Sequence, residues 1–90
     1  MKILKIGAVW CSGCLVMRPR WEEIEKEHPW LETETYDFDQ DKEIIEKYKI
    51  ESGRLPEFIF LDKKGQEFLR LHGEIPKNKL VKIILENQDR

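Results

Sequence analysis

The stretch Trp10-Cys11-Ser12-Gly13-Cys14 decides the fold, because it joins a predicted strand to a predicted helix. Residues 2–9 suit a buried strand, and the stretch from Ser12 to about His28 has apolar side chains near helical spacing. Cys11 is therefore expected in the first turn of a helix, where unpaired amides and the helix dipole favour its anion. The thiolate is the form of cysteine that attacks disulfides.

The second cysteine follows at the spacing of one helical turn. Positions i and i+3 lie about 5–6 Å apart on a helix surface, which fits the geometry of a disulfide. Cys14 is therefore expected to expel a bound substrate from a mixed disulfide at Cys11. Trp10 places an aromatic ring beside the nucleophile, and we expect it to contact substrate.

Three more strand patterns and two more helix patterns follow along the chain. Strands are predicted at residues 33–38, at 58–61 and in a partner segment with Phe68, Leu69 and Leu71, with a turn at 62–65. A short helix capped by Asp39 or Asp41 and a last helix opened by Pro76 complete the pattern. The last helix is expected to turn four side chains inward: Leu80, Val81, Ile84 and Leu85. This order predicts an α/β domain whose mixed sheet is flanked by helices.

Length and composition restrict the class of protein. Ninety residues predict one domain, residues 1–90, and 16 basic against 18 acidic residues give a net charge of −2. No basic block is present, so a nucleic-acid partner is not indicated. No apolar run is long enough for a membrane span, and the N-terminus lacks the pattern of a secretory signal. With only two cysteines, we expect a cytoplasmic protein without a disulfide scaffold.

The chain resembles the thioredoxin superfamily over nearly its whole length. Besides the dithiol, the resemblance is carried by Pro19, Phe38-Asp39-Gln40, Leu55-Pro56, and Gly73 leading into Pro76-Lys77-Asn78-Lys79-Leu80. It implies an α/β, thioredoxin-like three-layer fold with a central mixed sheet of about four strands. The N-terminal strand and helix of full-length thioredoxins are expected to be absent.

The resemblance also implies a function. It predicts a thiol–disulfide oxidoreductase with Cys11 as nucleophile and Cys14 as resolving thiol, together forming a redox-active disulfide. Pro56 is expected to be cis, and the substrate groove to be formed by Trp10, Leu55-Pro56 and the region near Gly73. No cofactor is expected, because the cysteines carry the electrons. The expected partners of this monomer are disulfide-containing proteins and a recycling reductase or low-molecular-weight thiol.

The sequence departs from the family pattern at several positions. Ser12-Gly13 replaces the usual Gly-Pro between the cysteines. Lys5 stands where family members often bury an aspartate, and Thr35 where the lysine partner of that aspartate often lies. The proton acceptor for Cys14 is therefore left open between Asp37 and water.

Arg54 is a candidate site residue because it shortly precedes Pro56. If Pro56 adjoins the dithiol, Arg54 lies at the rim of the groove, where its charge favours the Cys11 thiolate or attracts acidic substrates. Two other functions stay open. One is a binding module that has the fold without the catalysis. The other is a metal or iron–sulfur site at the cysteine pair, completed by His28 and His72 or by a second chain.

Overall fold

A computed structural model describes all residues from 1 to 90, and they form four strands and three helices. The strands are β1 (Lys2–Gly7), β2 (Glu32–Asp37), β3 (Glu57–Leu61) and β4 (Glu67–His72). The helices are α1 (Ser12–Glu27), α2 (Lys42–Lys47) and α3 (Lys77–Glu86), and a short 3-10 turn covers Ser52–Arg54. No helix has the length and apolar character needed to cross a membrane.

The strands form one mixed sheet in the order β2-β1-β3-β4. β1 pairs in parallel with β2, and the long α1 connection between them satisfies the need of parallel strands for a crossover. β1 and β3 are antiparallel, and β3 and β4 form the predicted hairpin. The two central strands bury apolar side chains on both faces, interrupted by Lys5 in β1 and Glu57 in β3, whereas β2 and β4 lie at the edges and are only partly buried.

Successive side chains of a strand point to opposite faces, and this alternation builds two apolar layers. On one face Ile3 of β1 and Phe58 and Phe60 of β3 pack against α1 and α3. On the other face Leu4, Ile6, Ile59 and Leu61 pack against Ile50 and side chains of α2. Helices therefore cover both faces, and the predicted three-layer α/β architecture is confirmed.

Two local predictions are corrected by the structure. Leu85 was expected to point inward, but it is 44% exposed. At about 100° per residue it lies far round the helix from Leu80, whereas Ile84 lies close to it and is fully buried. Asp41 occupies the N-cap position of α2 without capping it, because its carboxylate accepts a hydrogen bond from the amide of Asp37 instead (2.6 Å).

Strand directions bring three chain segments together at one end of the sheet. Ile6 near the end of β1 pairs with Glu57 at the start of β3, which in turn pairs with His72 at the end of β4. The segment that follows β1 contains the two cysteines. The segments that precede β3 and follow β4 contain Pro56 and Gly73. The sheet thus places these three segments side by side.

Candidate functional site

Cys11 is the N-cap residue of α1 and is joined to Cys14 by a disulfide bond. The two Cα atoms are 5.3 Å apart. The Cys11 Sγ accepts a hydrogen bond from the Cys14 amide at 3.2 Å, which is one of the orphan donors at a helix start. The sulfur therefore lies where backbone donors and the helix dipole stabilise negative charge.

Two glycines allow the disulfide to approach the sheet and the neighbouring loop closely. A Cβ atom on Gly7 of β1 would lie 3.0 Å from the Cys14 Sγ. A Cβ atom on Gly13 would lie 3.0 Å from the Cδ of Pro56. Both distances are tighter than most Cβ contacts in proteins, so a side chain at either position requires its neighbour to shift by a few tenths of an ångström. Gly7 and the contact of Gly13 with Pro56 were not predicted from the sequence.

Pro56 packs against Gly13, which lies between the two cysteines. The Leu55–Pro56 peptide bond is cis. The carbonyl oxygen of Pro56 accepts a hydrogen bond from the Gly73 amide at 2.8 Å, and Gly73 has a φ of +88°, a conformation that favours glycine. The structure thus brings Pro56 and Gly73 together beside Gly13.

Trp10 presents an exposed aromatic surface next to the disulfide. Its side chain is 54% exposed, and its ring meets Phe38 edge-on with centroids 6.1 Å apart. The indole Nε1 donates to the Asp39 carboxylate at 2.8 Å. Asp39, expected as a possible helix cap, therefore orients Trp10 instead.

Exposure makes Cys14, rather than Cys11, the more accessible of the two cysteines. Cys11 is 7% exposed, whereas Cys14 is partly exposed. Helix position favours Cys11 as the nucleophile instead, because only Cys11 has its sulfur at the N-cap and accepts an amide hydrogen bond there.

A cleft of about 530 Å³ lies behind Cys14, on the α1 side of the sheet. Lys5 lines it and pairs with Glu25 of α1, and its ammonium lies 5.6 Å from the ring centre of Trp21. Asp37 also lines the cleft, but its Oδ2 accepts hydrogen bonds from the amides of residues 39 and 40. That carboxylate therefore shapes a turn.

A second group of charges lies on the α2 side of the sheet, directly after Pro56. Glu57 is fully buried, and its Oε2 accepts a hydrogen bond from Arg54 Nε at 3.1 Å. Its Oε1 lies 3.6 Å from Arg70 Nη1, an ion pair without a hydrogen bond. A hydrogen bond from Arg70 to Glu67 raises the pKa of the guanidinium, and the charge of Glu57 adds to that effect.

Sequence reasoning missed Glu57, because a glutamate at the start of an apolar strand resembles a polar flank. Arg54, which was predicted at the groove rim, has its side chain 44% exposed and shares its charge with this buried carboxylate. The sequence held one signal of a buried carboxylate here: Arg54 lies three residues before Glu57, and Arg70 lies on the partner strand.

The candidate metal ligands are not assembled within the chain. No group of three or more His, Cys, Asp or Glu side chains is arranged to hold a metal ion. His28 meets the ring of Trp30 edge-on, and His72 is exposed at the end of β4. A metal at the cysteine pair therefore requires ligands from outside the chain.

The comparisons with known proteins agree with this geometry. A family model described as Thioredoxin matches residues 1–86. The chain is 35% identical over 71 residues to an H-type thioredoxin of Fagopyrum esculentum, covering 79% of this chain and 59% of that protein. It is 30% identical over 82 residues to the thioredoxin of Mycoplasma pneumoniae, covering 91% of this chain and 78% of that one.

Solved structures give the same result for the fold. The X-ray structure of Fasciola hepatica thioredoxin superposes with a TM-score of 0.83 at 31% identity, covering 96% of this chain and 79% of that chain. Thioredoxin NaTrxh of Nicotiana alata superposes with a TM-score of 0.84 at 24% identity, covering 96% and 71%.

A four-stranded mixed sheet with a Cys-x-x-Cys disulfide at a helix start defines the class of dithiol proteins with a thioredoxin-like fold. The family match over residues 1–86 is more specific: the chain belongs to the thioredoxin family. The matched part spans between 50% and 59% of the plant relatives.

Proposed function

We propose that the chain is a thiol–disulfide oxidoreductase that uses Cys11 and Cys14 to reduce or form disulfides in proteins and small molecules. The observation that carries the proposal is the Cys11 sulfur at the N-cap of a 16-residue helix, with Cys14 one turn behind it and bonded to it. Membership of the thioredoxin family supports the same reaction.

In the reductive direction the reaction has two exchanges. The Cys11 thiolate attacks one sulfur of the substrate disulfide, a Cys11–substrate disulfide forms, and the other substrate sulfur leaves as a thiolate and takes up a proton. Cys14 then loses its proton and attacks the Cys11 sulfur, which releases the second substrate thiolate. Two electrons pass to the substrate, and the Cys11–Cys14 disulfide remains.

The surface around the disulfide supplies a groove for an extended substrate segment. Trp10 forms one side of this groove. The other side is formed by Leu55, Pro56 and Gly73, and Arg54 lies at the rim. The exposed indole offers apolar contact. The close packing of Gly13 on Pro56 keeps the disulfide and this groove in a fixed relation.

A donor of electrons must regenerate the dithiol after each turnover. The class of that donor is a protein reductase or a low-molecular-weight thiol, because either returns two electrons by the same exchange chemistry. We place the protein in the cytoplasm, where such donors keep thiols reduced, and we expect it to act as a monomer without a bound cofactor.

Single-cysteine variants test the proposal cleanly, because the chain has no other cysteines. In an insulin-reduction assay with dithiothreitol, the wild type should accelerate precipitation of the insulin B chain and Cys11→Ser should not. Cys14→Ser should accumulate a mixed disulfide with insulin that is visible on a non-reducing gel.

Glu27→Gln is a suitable control, because it removes an exposed partner of Lys77 at the far end of α1. No acceleration by the wild type would support a binding module without catalysis. Metal that co-purifies under anaerobic conditions and blocks thiol titration would favour the metal site.

A further inference from the structure

The fully buried carboxylate of Glu57 is the most unusual side chain next to the groove. It is 0% exposed, its cross-strand neighbour on β1 is Ile6, and the next side chain on the same face of β3 is Ile59. A buried charge is costly unless it is paired and hydrogen-bonded. Glu57 is paired on both oxygens but hydrogen-bonded on only one.

The two arginines tie Glu57 to different parts of the fold. Arg54 belongs to the 3-10 turn, and its bond to Glu57 closes a short ring around the intervening Leu55 and Pro56. Arg70 lies on β4 diagonally across from Glu57, within reach of a long side chain. Its guanidinium also donates to the carbonyl of Tyr48, just after α2, at 2.8 Å.

The segment inside that ring adjoins the dithiol. Pro56 contacts the first turn of α1 between the cysteines, since a Cβ atom on Gly13 would lie only 3.0 Å from the Pro56 Cδ. The Pro56 carbonyl is bonded to Gly73 on the other side. A small displacement of Pro56 therefore changes the position of the groove relative to the sulfurs.

We propose that Glu57 is a positioning residue: through Arg54 and Arg70 it holds the Leu55–Pro56 segment against the Cys11–Cys14 disulfide. This inference rests on the proposed function for its effect on catalysis. Stability alone does not explain the arrangement, because replacing a buried ion pair by apolar side chains of similar volume is often neutral or stabilising. The partners instead join the chain just before Pro56 to the end of α2 and to β4.

The test compares two substrates that depend differently on the groove. Insulin presents an extended peptide to Leu55, Pro56 and Gly73, whereas the small aromatic disulfide DTNB needs little more than access to the sulfur. Glu57→Met should lower kcat/KM for insulin about ten-fold, mainly through KM, and leave kcat/KM for DTNB within about two-fold. Glu57→Gln should recover part of the loss, because its amide oxygen still accepts the Arg54 hydrogen bond.

Glu27→Gln is the matched control. It removes an exposed carboxylate partner of Lys77 at the far end of α1, outside the group formed by Arg54, Glu57 and Arg70, and should leave both substrates unchanged. If Glu57→Met does not fold, Arg54→Met provides the same comparison. Equal loss for insulin and DTNB, or no loss for either, would overturn the positioning role.

Amide hydrogen exchange tests the positioning role of Glu57 independently of catalytic activity. The Gly73 amide bonds to Pro56 and the Arg54 amide bonds to Glu51, so both report on the segment without any turnover. Glu57→Met should speed their exchange at least about ten-fold relative to Glu27→Gln. If the wild type reduces neither substrate but this exchange effect appears, the proposed function fails and the positioning role stands. Unchanged exchange would contradict the positioning role.

Discussion

On the α1 face of the sheet, Lys5 and Glu25 form a charged pair whose side chains are still 16% and 34% exposed, whereas Glu57 on the α2 face is cut off from solvent. Both groups lie close to the dithiol, but the loss of a charged partner has different consequences for the two. If Lys5 is removed, Glu25 can rotate toward water. If one arginine partner of Glu57 is removed, the carboxylate stays buried with a single cation beside it, and so this group constrains the structure more strongly.

Removing Arg70 should show the largest effect on stability. Arg70→Met leaves the Glu57 Oε1 without its cation and frees the Tyr48 carbonyl, and we expect it to lower the free energy of unfolding by about 3 kcal/mol. Urea unfolding followed by circular dichroism measures this. Combining Arg70→Met with Glu57→Met should restore much of the lost free energy of unfolding. If the losses of the two single variants simply add, Arg70 and Glu57 are not energetically coupled.

Adding one methyl group on the α1 face should have the next largest effect. Gly7→Ala places a Cβ atom 3.0 Å from the Cys14 sulfur, and we expect a cost of about 2 kcal/mol in the oxidised protein. Gly53→Ala, at an exposed position with nothing within 4 Å of the new atom, is the control for the general effect of replacing glycine. Similar unfolding midpoints for the two variants would contradict this expectation, because they would mean that the added methyl group fits beside Cys14 without strain.

Neutralising Lys5 should cost much less than either change. Lys5→Met removes the ammonium from above the Trp21 ring and releases Glu25 into solvent, and because both contacts are partly exposed we expect a change within about 1 kcal/mol. Glu25→Gln should behave similarly in the same urea experiment. A loss as large as that of Arg70→Met would remove the distinction between the two faces.

Removing a hydrogen bond on β2, at the exposed edge of the sheet, should have the smallest effect on stability, and only a titration should detect it. The Tyr36 hydroxyl and then the Lys2 ammonium lower the pKa of Glu34. Because the pKa of Glu34 is lower in the folded than in the unfolded protein, its ionised form stabilises the fold above the unfolded-state pKa of about 4.3. This stabilisation is lost as the pH falls through the folded-state pKa. Tyr36→Phe should raise the pKa of Glu34 in an NMR titration and weaken this acid sensitivity.

Tyr48→Phe is the matched control for this titration, since it removes a hydroxyl that does not bond to Glu34. An unchanged Glu34 pKa in Tyr36→Phe would show that Lys2 alone sets it.

The fold was predictable because local patterns and global topology agree. The strand before Cys11, the helix after it and the hairpin around the turn at 62–65 all follow from periodicity and turn residues. Cys11 and Cys14 follow from spacing alone. The positions of Pro56 and Gly73 beside them came only from the family resemblance, because sequence-distant segments meet through the register of β1, β3 and β4.

The charged partners were not predictable in the same way. Glu57 precedes an apolar run and lies in a position that local pattern assigns to a strand end. It is buried because the 3-10 turn and the end of α2 fold across it, which is a tertiary effect. Lys5 gave a clearer signal, since it interrupts an apolar strand on the face of Ile3, but its partner Glu25 lies 20 residues away on α1.

The proposed chemistry depends on ionisation of the Cys11 sulfur at the start of α1, and alkylation of the single-cysteine variants measures that ionisation directly. The rate of reaction with iodoacetamide should be followed between about pH 5 and pH 10 for Cys14→Ser, which keeps Cys11, and for Cys11→Ser, which keeps Cys14. We expect Cys11 to react faster at neutral pH, with a pKa well below the ordinary thiol value of about 8.5. A Cys11 that titrates as an ordinary exposed thiol, or that reacts no faster than Cys14, would contradict it.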